Sequence, residues 1–193
     1  MRRSIIDRII LVGPAASGKD HARKDLINLG LTQSISYTTR PIREGEQDGV
    51  DYHYIDDTEF NNMVSRSEFY ENQEFNGWSY GTTKKEMNNS QLFIMTPAGL
   101  ADLVKTDRDK SIVIFFNIDQ TIRENRLADR GDVDNISRRI AADTEDFKSY
   151  VDWDIMIKDS EFNIVSDVIK RVELREQFKL SHKLTKTLFN EAI

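Results

Sequence analysis

Cysteine is absent from these 193 residues. Disulfides, thiolate metal sites and cysteine nucleophiles are thereby excluded. The histidines, His21, His53 and His182, are scattered and offer no zinc-binding spacing. Long apolar runs are also lacking; no stretch approaches the roughly 20 residues that span a bilayer. Nor is there an excess of positive charge. The formal net charge of −6 argues against a general binder of nucleic acid or of anionic membrane. An anionic ligand would have to be held by local clusters of arginine and lysine. Hydrophobic residues make up 38% and charged residues 31%, so much of the chain is solvated surface. The basic start, Met1-Arg2-Arg3, leads into a short apolar run broken by Asp7 and Arg8; it reads as a first strand and not as a signal peptide. A soluble, cytoplasmic protein of one domain is the expectation.

The chain is organised around Gly13-Pro14-Ala15-Ala16-Ser17-Gly18-Lys19-Asp20. The apolar run Ile9–Val12 precedes it and a helical segment from His21 to Leu29 follows. Strand, glycine-bounded loop, lysine and helix form the phosphate-binding P-loop arrangement. Gly13 and Gly18 let backbone N–H groups point inward, and the helix start adds its dipole and unpaired N–H groups. Lys19 then reaches β- and γ-phosphate oxygens. The bland alternative is a glycine-rich turn with an incidental lysine. The loop's last residue departs from the usual Ser or Thr: Asp20 either serves a divalent cation, directly or through water, or complements the helix dipole.

Further along, residues 31–37 read as a short strand. The segment from Ser36 to Tyr52 is extended and turn-rich, with Pro41, Gly45 and Gly49 breaking any helix. Arg40 and Arg43 could both fork onto one phosphate; the alternative is a solvated loop with weak Arg40–Glu46 and Arg43–Glu44 pairs. Residues 57–66 predict a helix with Asp57 or Thr58 as cap. Residues 69–75 and 78–82 predict a hairpin turning at Asn76-Gly77. Residues 84–89 read as helix and 92–95 as a buried strand. Pro97 opens a helix predicted to run through Lys105, and the apolar run within residues 111–118 predicts a central parallel strand. Residues 120–129 and 136–147 predict helices carrying Arg123, Arg126, Arg138 and Arg139; residues 154–157 predict the last strand. From Asn163 the chain reads as helical to its end. Alternating strands and helices give an α/β fold with a parallel sheet and a ligand crevice at the strands' carboxyl ends.

The phosphate loop, then Ser36-Tyr37-Thr38-Thr39-Arg40-Pro41-x-Arg43-x-Gly45-Glu46-x-Asp48-Gly49-x-Asp51-Tyr52, then Phe69-x-Glu71, then Gly77-x-x-Tyr80-Gly81-Thr82 resemble the guanylate kinases in order and spacing, from Arg8 to about Asp159. The resemblance implies a P-loop nucleoside monophosphate kinase: a core of residues 1–35 and 84–193, a strand-rich acceptor lobe of residues 36–83, and a lid at about 126–143. It implies that Ser36, Arg40, Arg43, Tyr52 and Tyr80 hold the phosphate of GMP or dGMP. Glu71, with Ser36 and Thr82, would read the base. Gly13, Pro14, Ala15, Ala16, Ser17, Gly18, Lys19 and Asp20 would hold ATP with Mg²⁺, and Arg126, Arg130 and Arg139 would close over the transferring group; the alternative for those three is surface charge. It implies a monomer or homodimer with small nucleotides as its only partners.

Two departures stand out. Where guanylate kinases carry Asp residues, this chain has Ile94 and Thr96, and a hydroxyl accepts from guanine more weakly than a carboxylate. Asp20 is the other; the two are read as linked, a negative charge having moved into the phosphate loop. The G-K-D ending is also similar to that of ribose 1,5-bisphosphate phosphokinases. Further alternatives are a kinase for another or modified deoxynucleotide and a non-catalytic binding module of the same fold.

Overall fold

Ile9, Ile10, Leu11 and Val12 are completely buried, and alternation along the strand sends them to two different layers. Ile9 and Leu11 pack with Ala22 and Leu26 of the first long helix and with Ile112, Ile114 and Phe116. Ile10 and Val12 pack on the other face with Met87, Phe93, Leu100 and Val113. A strand covered on both faces needs no polar face, which is why the sequence runs apolar without alternating. Each such side chain contributes about 1.5–3 kcal/mol relative to exposure.

The computed structural model describes residues 5–75, 77–129, 136–159, 161–163 and 179–180. The elements in chain order are β1 (Ile5–Ile6), β2 (Arg8–Val12), α1 (Lys19–Asn28), β3 (Tyr37–Thr38), β4 (His53–Tyr54), α2 (Asp57–Ser65), β5 (Phe69–Phe75) and β6 (Trp78–Thr83). There follow α3 (Lys84–Asn89), β7 (Leu92–Ile94), α4 (Pro97–Ala101), α5 (Lys105–Arg108), β8 (Ser111–Phe116), α6 (Gln120–Asp129), α7 (Ile136–Phe147), β9 (Ile155–Ile157) and β10 (Lys179–Leu180). The main sheet has the order β7-β2-β8-β9 and is parallel throughout. Gln33 adds a parallel bridge to Leu92, in place of a full strand over residues 31–37. The fold is thus the α/β class expected, a parallel sheet between helices. The second sheet, β4-β3-β6-β5, is mixed and built from residues 37–83, with Phe60, Met63 and Phe69 as its own small core.

Three further expectations are corrected. The helix opened by Pro97 stops at Ala101 and a separate turn of helix starts at Lys105, because the Val104 N–H donates to the Tyr70 hydroxyl (3.1 Å), itself fixed by Asp107 (2.7 Å). The cap of α2 is Asp56, whose side chain accepts from the Glu59 N–H, so Thr58 lies inside the helix. The C-terminal segment is not helical to its end: Lys179–Leu180 is a strand paired in parallel with Ile5–Ile6. That pairing lies between opposite ends of the chain, where helical periodicity carries no information. Residues 164–178, 181–193, Asn76 and the polar break from Gly131 to Asn135 lie outside the described residues.

Candidate active site

The loop after β2 and the segments after β7 and β8 leave the same, carboxyl edge of the sheet, so three chain segments converge beside one crevice. Gly13 is required by closeness: a Cβ there would lie 2.9 Å from the Phe116 carbonyl oxygen and from Ser17 Oγ. Gly18 caps α1 in the left-handed region, at φ 101°, where a side chain would be strained. Ala16 adopts φ 57° without being glycine, at a cost of about 1 kcal/mol or more. Lys19 folds back over the loop and donates to the carbonyl oxygens of Gly13 (2.5 Å) and Pro14 (2.8 Å). Burial lowers its pKa from the usual 10.5 to about 8, against the opposing pull of Asp20 and Asp143.

A cavity of about 390 Å³ opens over Ala16, Gly18 and Lys19 and is closed by His21, Arg126 and Phe162. Arg126 donates to the Ala16 carbonyl at 3.1 Å. Arg139 sits near enough to affect the titration of both Lys19 and Asp143, so two of the three expected lid arginines stand beside the loop. Arg130 lies outside the described residues. The Asp20 side chain is 67% exposed and 3.7 Å from Arg23 Nε, at the rim of the same cavity. Its oxygens fit a hard cation that brings most of its ligands from phosphate and water. No group of three or more acidic or imidazole side chains is placed to hold a metal ion among the described residues, so a metal at Asp20 would draw the rest of its sphere from the nucleotide and water.

In the segment that carries the second sheet, Arg40 is 4% exposed. Its Nη2 donates to both oxygens of Glu46 (2.8 and 3.0 Å) and its Nη1 to the Pro41 carbonyl, and its guanidinium lies 5.5 and 5.7 Å from the ring centres of Tyr52 and Tyr54. The expected surface pair Arg40–Glu46 is therefore formed, but it is buried and belongs to a network. Burial would raise the Glu46 pKa; donation from Arg40, the Arg43 N–H and Tyr54 outweighs it and holds the carboxyl below its usual value. Arg43 is exposed. Tyr52 packs edge-on to Tyr80 at 6.0 Å, and burial pushes its hydroxyl up to about 12.

Glu71, Thr82 and Ser36 come together as expected. Glu71 is 8% exposed and opposite Thr82 on β6, from which it accepts both the hydroxyl and the backbone N–H. The Thr82 hydroxyl lies 3.2 Å from that of Ser36. Burial raises the Glu71 pKa despite those bonds. Gly99 completes this corner: a Cβ there would stand 2.9 Å from Glu71 Oε2. Thr96 spends its hydroxyl as the cap of α4, accepting from the Gly99 N–H at 3.1 Å, while Ile94 packs against the core. The loop and the second sheet's segment are tied by Arg23, which meets Asp20 on its own helix and Asp51 beyond it at 3.3 Å.

Sequence reasoning missed the ion pair of Arg123 and Asp143 (3.3 Å), both more than nine-tenths buried. Asp143 also accepts from the Ala15 N–H at 2.9 Å. Both residues sit in the buried stripes of their helices, Arg123 with Leu127 and Asp143 with Ile140. A charged residue at a stripe position was the available signal.

The sequence model of the family described as Guanylate kinase matches residues 6–174. A guanylate kinase of Buchnera aphidicola subsp. Baizongia pistaciae is 31% identical, over 94% of this chain and 97% of its own. One from Legionella pneumophila (strain Paris) is 28% identical, over 92% and 90%. In fold, the crystal structure of guanylate kinase from Anaplasma phagocytophilum superposes with a TM-score of 0.61 at 20% identity, covering 97% of this chain and 96% of that one. With a family model that spans most of the sequence and relatives that match it nearly end to end, this chain belongs to the guanylate kinase family.

Proposed function

We propose that the protein transfers the γ-phosphoryl group of ATP to GMP or dGMP, giving ADP and GDP or dGDP. The observation that carries this reading is a backbone-and-lysine anion cradle linked, through Arg23 between Asp20 and Asp51, to a lobe that holds a buried carboxylate beside hydroxyls. The first suits a triphosphate; the second suits a base edge that donates N–H groups. Lys19 and the N–H groups of the loop from Gly13 to Asp20 hold the donor phosphates. Ser36, Arg40, Arg43, Tyr52 and Tyr80 hold the acceptor phosphate, and Glu71 with Ser36 and Thr82 reads the base. Arg126, Arg130 and Arg139 neutralise charge on the group in flight. Phosphoryl transfer needs positioning and charge compensation more than covalent help, so the lack of a nucleophilic side chain is no obstacle. Magnesium held beside Asp20 would neutralise the β- and γ-oxygens. The same reading includes a cytoplasmic setting and a monomer or homodimer divided into the core, lobe and lid given above. Among the described residues no helix is long and apolar enough to cross a membrane.

A coupled ADP-release assay with ATP against GMP, dGMP, AMP, the pyrimidine monophosphates and ribose 1,5-bisphosphate tests the reading. Turnover is expected with GMP or dGMP and not with the others. Turnover confined to the sugar bisphosphate, or none with any acceptor, would reject it.

A further inference from the structure

Asp143 has no part in the transfer just described, yet it is bonded to the phosphate loop. Its Oδ2 takes the Ala15 N–H at 2.9 Å and Arg123 Nη1 at 3.3 Å. Arg123 is anchored in turn by donating Nε to the Ile118 carbonyl at 3.1 Å. Lys19 and Arg139 act on the same carboxyl. A backbone amide of the loop and a guanidinium on one anionic oxygen, with the charges of Lys19 and Arg139 acting on it from farther off, make the kind of sphere that a phosphate oxygen would take. Burial works against the ionised form of Asp143, and its pKa is raised despite these partners, so the pairing is strained electrostatically even before another anion arrives.

A single N–H cannot serve two anions, and two like charges a few ångströms apart in a partly dry site repel strongly. We propose that Asp143 is a self-ligand of the phosphate loop: its carboxylate occupies part of the anion cradle, a nucleoside triphosphate displaces it, and its charge holds down triphosphate affinity. The inference rests on reading the loop as the ATP site. Its consequence for motion is specific. Displacement breaks the bond between α7 and Ala15, so the helix carrying Arg139 is released from the loop as the nucleotide enters.

The test is ATP binding without acceptor, by calorimetry, for the wild type, Asp143→Asn and Asp143→Ala. Both variants are expected to bind ATP about tenfold more tightly, since removing the charge outweighs the lost brace on Ala15. Equal or weaker binding by a folded variant would overturn the proposal and make Asp143 a brace only. Should neither variant fold, the wild type decides: NMR of the ¹³C-labelled protein is expected to show the Asp143 carboxyl carbon shifting on addition of ATP, and an unmoved signal in ATP-saturated protein rejects displacement. ATP binding by a variant where the wild type binds none would support the plug. Failure of every form to bind ATP would remove the reading of the loop and the inference together, whereas normal wild-type binding with no gain in the variants removes the inference alone.

Discussion

The two parts of the candidate site are made of different material. The donor side is backbone: a loop whose glycines admit close approach and the left-handed turn, whose carbonyls hold Lys19, and whose Ala15 N–H holds Asp143. The acceptor side is side chains on a small mixed sheet: Arg40 gripped by Glu46 near two tyrosine rings, and Glu71 held by Thr82 beside Gly99. A backbone cradle is general, because N–H groups recognise phosphate whatever nucleoside bears it. A side-chain cradle is selective, because each carboxylate or hydroxyl matches one pattern of donors and acceptors. Substitutions should therefore act on turnover from the donor side and on acceptor affinity from the lobe.

The largest break should come at Lys19. Lys19→Met is expected to lower kcat on the order of a thousandfold, with the acceptor KM little changed, measured by coupled ADP release. The same residue sets a pH signature. Its folded pKa of about 8 lies below the ordinary 10.5, so between those values the unfolded chain binds more protons and stability rises with pH. Burying the charged ammonium costs stability in full below about pH 8, and that cost is relieved as pH rises towards 10.5. The melting temperature of the wild type relative to Lys19→Met should climb over that window while activity falls as the ammonium loses its charge. A constant difference would mean that Lys19 stays charged throughout.

The lobe should answer differently. Arg43→Ala is expected to raise the acceptor KM about 10- to 100-fold, the worth of a charge-assisted hydrogen bond, with ATP affinity within about twofold of the wild type on the same scale. Loss of ATP binding instead would move Arg43 to the donor side. Gly99→Ala sharpens the contrast, because its new Cβ would press on Glu71 Oε2 at 2.9 Å. About tenfold in GMP KM is expected, together with weaker preference for GMP over AMP, while the ATP KM stays constant. An equal loss for both acceptors would assign Gly99 to folding alone.

The same contrast explains what could be read in advance. Gly13, Gly18 and Lys19 announce the donor loop, because a backbone cradle imposes fixed spacing on the sequence, and the apolar runs of β2 and β8 announce a sheet covered on both faces. The residues proposed for the acceptor were named through family resemblance alone: Glu71 and Thr82 meet because two strands pair in one register, which composition does not encode. Asp143 escaped because its partners lie in the loop and on α6, far away in sequence. The break between α4 and α5 escaped because a tyrosine from the other sheet takes the Val104 N–H. Nothing in the sequence singles out Gly99, which lies inside the helix opened by Pro97; its importance comes from the carboxylate that leans over it.

Asp20 and Ala16 give the two smallest tests, both on the donor side. Asp20→Ser exchanges an exposed carboxylate at the cavity rim for a hydroxyl. Half-saturation by Mg²⁺ is expected to require several-fold more metal, with little change in unfolding midpoint; unchanged metal dependence would leave Asp20 to the helix dipole. Ala16→Gly removes a methyl group from a residue held at φ 57°. Relief of the left-handed strain favours the variant by about 1 kcal/mol, and the greater freedom of glycine in the unfolded chain takes back about 0.4–1 kcal/mol. The net gain is a few tenths of a kcal/mol at most, read by urea unfolding, with ATP affinity preserved because the N–H of residue 16 is unchanged. A clear destabilisation would mean that the Ala16 methyl group packs in the loop, and that this part of the donor cradle, too, is built from a side chain.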